Sequence, residues 1–156
     1  MVTTETKLKA SELRLGNWVE FNDFPGKHFT KVTIDKLKTI AENPVMHTWY
    51  AIPLTPEILE KAGFYVREVD GQIGYFLDIQ KGKNKFYEEG VPYATFSNKR
   101  TILEINLNDD DGEEFTELVW QEVGVWQQLV LNPLKHLHQL QNLYFALTGE
   151  ELEINL

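Results

Sequence analysis

The chain has 156 residues, which predicts a single domain over residues 1–156, and its lack of cysteine excludes disulfides and thiolate chemistry. Its formal net charge of −9 disfavours nucleic acid as a partner, because phosphates repel an acidic surface. No apolar run approaches the ~20 residues that span a bilayer, so we expect a cytoplasmic protein that has no membrane partner.

The first part of the chain predicts a pair of strands. Residues 1–9 are polar and predict a frayed lead-in. Residues 18–21 alternate in polarity and residues 30–37 are rich in β-branched side chains, so both are predicted strands that pair with each other. A Gly-Asn turn leads into the first of them, which makes this opening similar to the start of a small SH3-like barrel.

The middle of the chain predicts a short helix followed by a hairpin. A short apolar strand is expected at residues 48–54. A Thr-Pro start and a Gly end then predict a helix near residues 56–62. Residues 64–69 and 72–79 are predicted strands, because the Asp-Gly pair between them is typical of a tight hairpin turn.

The second half of the chain predicts more strands and completes the fold class. Residues 101–107 alternate in polarity, their expected partner is residues 115–120, and residues 124–131 lead toward the last helix. We therefore predict an α+β fold. A mostly antiparallel sheet would carry a long C-terminal helix on one face and the short helix near an edge.

The long helix is predicted over residues 133–148. Asn132 is a good N-cap, the proline after it fits the first helical position, and Gly149 suits the left-handed position at the end. Its leucines fall on one arc of the helix, so Leu140 and Tyr144 are predicted to be buried against the sheet.

A second cluster lies about half a turn from this arc and consists of His138, Gln141, Asn142 and Phe145. Two interpretations are open. In the first, which we favour, Phe145 fills a second internal layer while the amides cap loop backbone, since aromatic residues at helical spacing usually pack inside. In the second, the cluster is a face that binds a partner or ligand.

No catalytic, metal or cofactor signature is found in the sequence. The carboxylates of residues 109–114 miss the register of a calcium loop, which predicts a solvated hairpin loop. His136 and His138 should point about 200° apart on a helix, so they cannot share a metal ion. A nucleophile elbow and a glycine-rich phosphate loop are both missing. We therefore expect no cofactor, and catalysis has no support.

A second candidate site combines three lysines with two aromatic side chains. Its residues are Lys81, Lys83, Lys85, Phe86 and Tyr87. Lysines can contact phosphates and aromatic rings can stack on a base, so this segment is a possible ligand loop for a small ligand or a nucleotide.

Three sequence blocks carry a family resemblance: residues 9–17 (KASELRLGN), 52–64 (IPLTPEILEKAGF) and 138–152 (HQLQNLYFALTGEEL). They are similar to a family of small uncharacterised proteins carried by phages, prophages and mobile elements of gut bacteria. The resemblance implies a genomic setting and supplies no catalytic residues. From it we expect a non-enzymatic accessory protein that binds a host or phage protein. The alternatives are a sponge-like anti-defence protein that binds a small ligand or nucleotide, and a small hydrolytic enzyme without a recognisable motif.

Overall fold

The computed structural model describes residues 7–23, 26–42, 49–69, 72–79, 100–107, 114–122 and 125–156. These residues form an α+β fold with mostly antiparallel strands in two sheets, which confirms the predicted class. No helix of the described part has the length and apolar character needed to cross a membrane. The chain divides into two compact units, which we call unit 1 (Met1–Ile58 with Leu134–Leu156) and unit 2 (Leu59–Pro133). The single domain stays a prediction.

Helices and strands occur in the following order in the described residues. The helices are the 3-10 helix Ala10–Glu12, α1 (Ile34–Glu42), α2 (Pro56–Lys61) and α3 (Leu137–Thr148). The strands are β1 (Trp18–Asp23), β2 (Gly26–Lys31), β3 (Trp49–Tyr50), β4 (Tyr65–Val69), β5 (Gln72–Asp78), β6 (Arg100–Asn106), β7 (Phe115–Glu122) and β8 (Val125–Leu131). The predicted short helix is therefore confirmed as α2.

Unit 1 is built on a three-stranded sheet with the strand order β2-β1-β3. β1 and β2 are antiparallel, with Trp18 opposite Lys31. The chain enters β1 through Gly16, whose φ of +87° is a left-handed conformation that favours glycine. A cluster of buried apolar side chains forms the core: Leu8, Leu13, Val19, Val32, Ile40 and Ala51. The SH3-like start stays a prediction.

The predicted strand at residues 30–37 is wrong in its second half, where α1 begins. The Thr33 side-chain oxygen accepts the backbone N–H of Lys36 at 3.4 Å, and the Thr33 carbonyl accepts the N–H of Leu37 at 2.9 Å. Thr33 thus acts as an N-cap. Helix formation also buries Ile40. Capping and burial together outweigh the β preference of the branched side chains.

The predicted N-cap of the last helix, Asn132, is not where α3 begins. The Gln139 side-chain oxygen instead accepts the backbone N–H groups of Lys135 and His136, at 3.0 and 3.1 Å. Lys135 also accepts the N–H of Leu54 at 2.9 Å through its carbonyl. This pairing holds the chain extended before α3, so the helix starts later than the sequence predicts.

The remainder of α3 agrees with the sequence at its end and, in part, in the residues that it buries. Gly149 has a φ of +74°, and its N–H donates to the carbonyl of Phe145 at 2.8 Å. Leu140 is fully buried, whereas Tyr144 is half-buried. The predicted helix end and the burial of Leu140 are confirmed, and Tyr144 retains part of its surface.

Unit 2 contains a five-stranded sheet in which each strand pairs with the next along the chain, in the order β4-β5-β6-β7-β8. β4 and β5 form the predicted hairpin, with Tyr65 opposite Phe76. β6 and β7 pair as predicted for residues 101–107 and 115–120. Leu103 and Ile105 of β6 are fully buried, as is Leu59 of α2. These three are the apolar side chains of unit 2, among its described residues, that have no exposed surface.

Candidate functional site

The amides of the predicted α3 face bind backbone groups of β1 and of the 3-10 helix. Gln141 is 2 % exposed, and its side-chain oxygen accepts the N–H of Trp18 at 2.8 Å. Asn142 donates from its side-chain nitrogen to the carbonyl of Glu12 at 2.8 Å. Both hydrogen bonds lie within unit 1 and connect α3 to the first residue of β1 and to the last residue of the 3-10 helix. The first interpretation of the sequence predicts that the amides bind backbone, although it places that backbone in loops.

Phe145 does not fill an internal layer. Its side chain is 37 % exposed. The guanidinium of Arg14 lies 3.6 Å from the ring centroid, and one of its nitrogens donates to a Glu151 carboxylate oxygen at 2.9 Å. A cation over an aromatic face is a favourable contact that requires no burial. The expected second core around Phe145 is therefore wrong, and a contact with a partner stays a prediction.

His138, the fourth residue of this face, is a buried neutral imidazole. It is 2 % exposed, and neither ring nitrogen has a hydrogen-bond partner among the described residues. Burial, and after it the neighbouring His136, lower the pKa of His138 to about 4. Burial also lowers the pKa of His136. At neutral pH the buried ring of His138 is therefore uncharged.

The rings of His136 and His138 are stacked, with 5.7 Å between their centroids and 12° between their planes. The expected opposite orientation is wrong, because His136 has an extended backbone and precedes the helix. Proximity alone does not make a metal site. Within the described residues no group of three or more histidine, cysteine, aspartate or glutamate side chains can hold a metal ion.

Changing Phe145 to alanine should have a small effect on stability. The ring is partly exposed and its described contact is with Arg14, so we expect a loss of about 0.5–1 kcal/mol in the free energy of unfolding, measured with denaturant. Leu147→Ala is the matched control, since Leu147 is 38 % exposed on the same helix. A loss of about 3–5 kcal/mol for Phe145→Ala would show that Phe145 does fill an internal layer.

The other two candidate segments lie largely outside the described residues. The possible ligand loop with Lys81, Lys83, Lys85, Phe86 and Tyr87 lies there entirely, and so does most of the acidic segment 109–114. That the possible ligand loop binds a ligand stays a prediction, and so does a solvated loop at residues 109–114.

Sequence reasoning missed a pair of carboxylates on neighbouring strands of unit 2. Glu104 on β6 lies opposite Glu117 on β7. Burial raises the pKa of Glu104, and the negative charge of Glu117 raises it further. The two residues are far apart in the chain, so their proximity follows from strand register alone.

Among the strands of the described residues, β8 lies at an edge and exposes apolar side chains on both faces. It lies at one end of the five-stranded sheet. Val125, Trp126, Leu129 and Val130 expose 56, 47, 50 and 60 % of their surface. Successive side chains of a strand alternate between faces, so Trp126 and Val130 share one face while Val125 and Leu129 share the other. The strand contains no ionisable side chain.

The other edge strands of the two sheets carry charges or are very short. β2 holds Lys27 and Lys31, and β4, at the opposite edge of the same sheet as β8, holds Arg67 and Glu68. β3 has only 2 residues. Charges and short length are the usual means by which edge strands avoid pairing with other chains. β8, with 7 residues and no charge, has neither protection.

The sequence shows the apolar character of β8 but not its exposure. Residues 125–131 have apolar side chains at both odd and even positions, which in a strand predicts burial on both faces. Their exposure can be seen only once the strand order is known.

Comparison of the chain with known protein families, with characterised proteins and with solved structures finds no match.

Proposed function

We propose that the protein is a non-enzymatic accessory protein of phages or mobile elements that binds a host or phage protein in the bacterial cytoplasm, and that β8 is its contact. The genomic setting is the one implied by the family resemblance. The observation that carries the proposal is the uncharged, apolar and exposed edge of the sheet in unit 2. Exposed apolar patches on proteins commonly mark interaction sites.

The backbone of β8 gives this contact a geometry. Glu122 and Val125 are the last opposed pair of β7 and β8 and are two residues apart in the chain, and an opposed pair at this spacing is a hydrogen-bonded one. Antiparallel pairs alternate between bonded and non-bonded positions along a ladder. Trp126, Gln128 and Val130 therefore direct their N–H and C=O groups away from β7.

An extended segment of a partner can bind these groups as an additional strand. Main-chain hydrogen bonds supply affinity in this mode, and the side chains beside the new strand supply specificity. Trp126 and Val130 offer an aromatic and a branched aliphatic side chain on the same face, where cross-strand pairs of these types are favourable. The added strand would also cover apolar surface on both faces.

A photo-crosslinking amino acid in place of Gln128 tests this proposal. Irradiation in the bacterial host should give an adduct that contains a second, different protein, identified by mass spectrometry. The control carries the same amino acid in place of Val66, which is 46 % exposed on β4. Val130→Lys should then weaken binding of the purified partner on the order of tenfold or more, because it places an unpaired charge in the contact.

Val66→Lys should leave that affinity unchanged. Equal crosslinking from both positions, or an affinity that Val130→Lys does not change, would show that the partner binds elsewhere. Circular dichroism of each variant checks that the fold is retained.

A further inference from the structure

We infer that β8 of the free protein pairs with β8 of a second copy, so that the resting protein is a two-fold symmetric dimer. The inference rests on the proposed function, in which β8 is a binding edge, and it names what occupies that edge when no other partner is present. It also means that a partner strand would have to compete with self-pairing.

The hydrogen-bonding groups of β8 are arranged symmetrically about Gln128. The residues that direct their main chain away from β7 are Trp126, Gln128 and Val130, as the register of β8 on β7 requires. When two copies meet in antiparallel fashion with Gln128 on the two-fold axis, Gln128 lies opposite Gln128, and Trp126 lies opposite Val130 of the second copy. Each of these pairs exchanges both of its hydrogen bonds.

The side chains fit the same register. Trp126 of each copy lies beside Val130 of the other, which is a favourable aromatic and β-branched pair. On the opposite face Gln127 lies beside Leu129. No charge is buried by this contact, because the seven residues of β8 contain none. That matters in a chain whose net charge is −9, since burying an unpaired charge in a contact is strongly unfavourable.

The pairing also ends with two copies. A two-fold contact uses the same surface on both chains, so it closes on itself. The outer edge of the sheet in each copy is β4, which carries Arg67 and Glu68. These charges protect that edge against further strands. The expected species is therefore a dimer and not a fibre.

Single cysteines test the register directly, because the natural chain has none. In Gln128→Cys the two introduced thiols lie on the two-fold axis, with Cα atoms about 5.5 Å apart, which is within disulfide range. In the control Gln127→Cys they lie diagonally, about 8 Å apart, which is beyond that range. Gln127 and Gln128 are both exposed, so the two variants differ mainly in geometry.

With a mild oxidant, Gln128→Cys should form a covalent dimer at several times the rate of Gln127→Cys. Equal rates, or no covalent dimer from either variant, would overturn the proposed pairing. Unmodified protein should sediment as a dimer that dissociates on dilution, Val130→Lys should sediment as a monomer, and Val66→Lys should behave like the unmodified chain. A monomer at every concentration of the unmodified protein would also overturn the pairing.

These measurements require no partner protein, so they separate the two proposals. A monomeric protein that still crosslinks to a host or phage protein through position 128 would remove the dimer and leave the proposed function. A dimer with the expected disulfide but with no such adduct would remove the proposed function and leave the dimer.

Discussion

Replacing Leu140 with alanine is expected to lower the free energy of unfolding by about 2–5 kcal/mol. Leu140 has 0 % of its surface exposed, so its truncation removes apolar contacts and leaves a cavity. Denaturant unfolding followed by circular dichroism measures the loss. The effect should be among the largest of any leucine on α3.

Leu147→Ala is the control for this prediction, because it makes the same chemical change on the same helix at a side chain that is 38 % exposed. Its cost should be far smaller than that of Leu140→Ala, since a half-exposed side chain loses fewer contacts. A loss below about 1 kcal/mol for Leu140→Ala would show that Leu140 is not a core residue.

The second large effect is a loss of stability at low pH, and its cause is His138. The pKa of this imidazole is about 4 in the folded protein, against an ordinary value of 6.5. Between these values the unfolded chain binds a proton that the folded chain does not, so stability falls as the pH falls. The contribution is fully present above pH 6.5, and roughly 3 kcal/mol is lost by pH 4.

His138→Leu checks this prediction, because it removes the titrating group from the same buried position. The free energy of unfolding of the unmodified protein should fall relative to that of the variant between pH 6.5 and pH 4. Leu147→Ala is the control, since it changes a partly exposed side chain on the same helix and leaves every titratable group in place, so the pH dependence should be that of the unmodified protein. If the free energy of unfolding depends on pH in the same way in the unmodified protein and in His138→Leu, the folded protein does not bury a neutral His138 ring.

Local sequence signals were sufficient where neighbouring residues decide the conformation. The hairpin of β4 and β5 follows from an Asp-Gly pair between two alternating segments. α2 follows from its Thr-Pro start, and the end of α3 follows from Gly149 in the left-handed conformation. The α+β class follows from the succession of these elements.

Signals of similar strength gave the wrong result where another contact of the same residues competes with them. Asparagine is favoured at the N-cap position, and Asn132 therefore predicts the start of the helix. Pairing between Lys135 and Leu54 instead keeps the chain extended, and Gln139 caps the helix. The branched residues before α1 favour a strand, yet the Thr33 cap and the burial of Ile40 give a helix.

By itself, the sequence determined the α+β class, the hairpin, the short helix and the end of the last helix, because each depends on residues close together in the chain. Only the tertiary structure decided that Gln141 is buried against the backbone of Trp18 while Phe145 stays partly exposed under Arg14. It also decided that the apolar residues of β8 are exposed at one edge of the described sheet. Burial and strand order depend on contacts between distant residues, and these contacts distinguish a core strand from a binding edge.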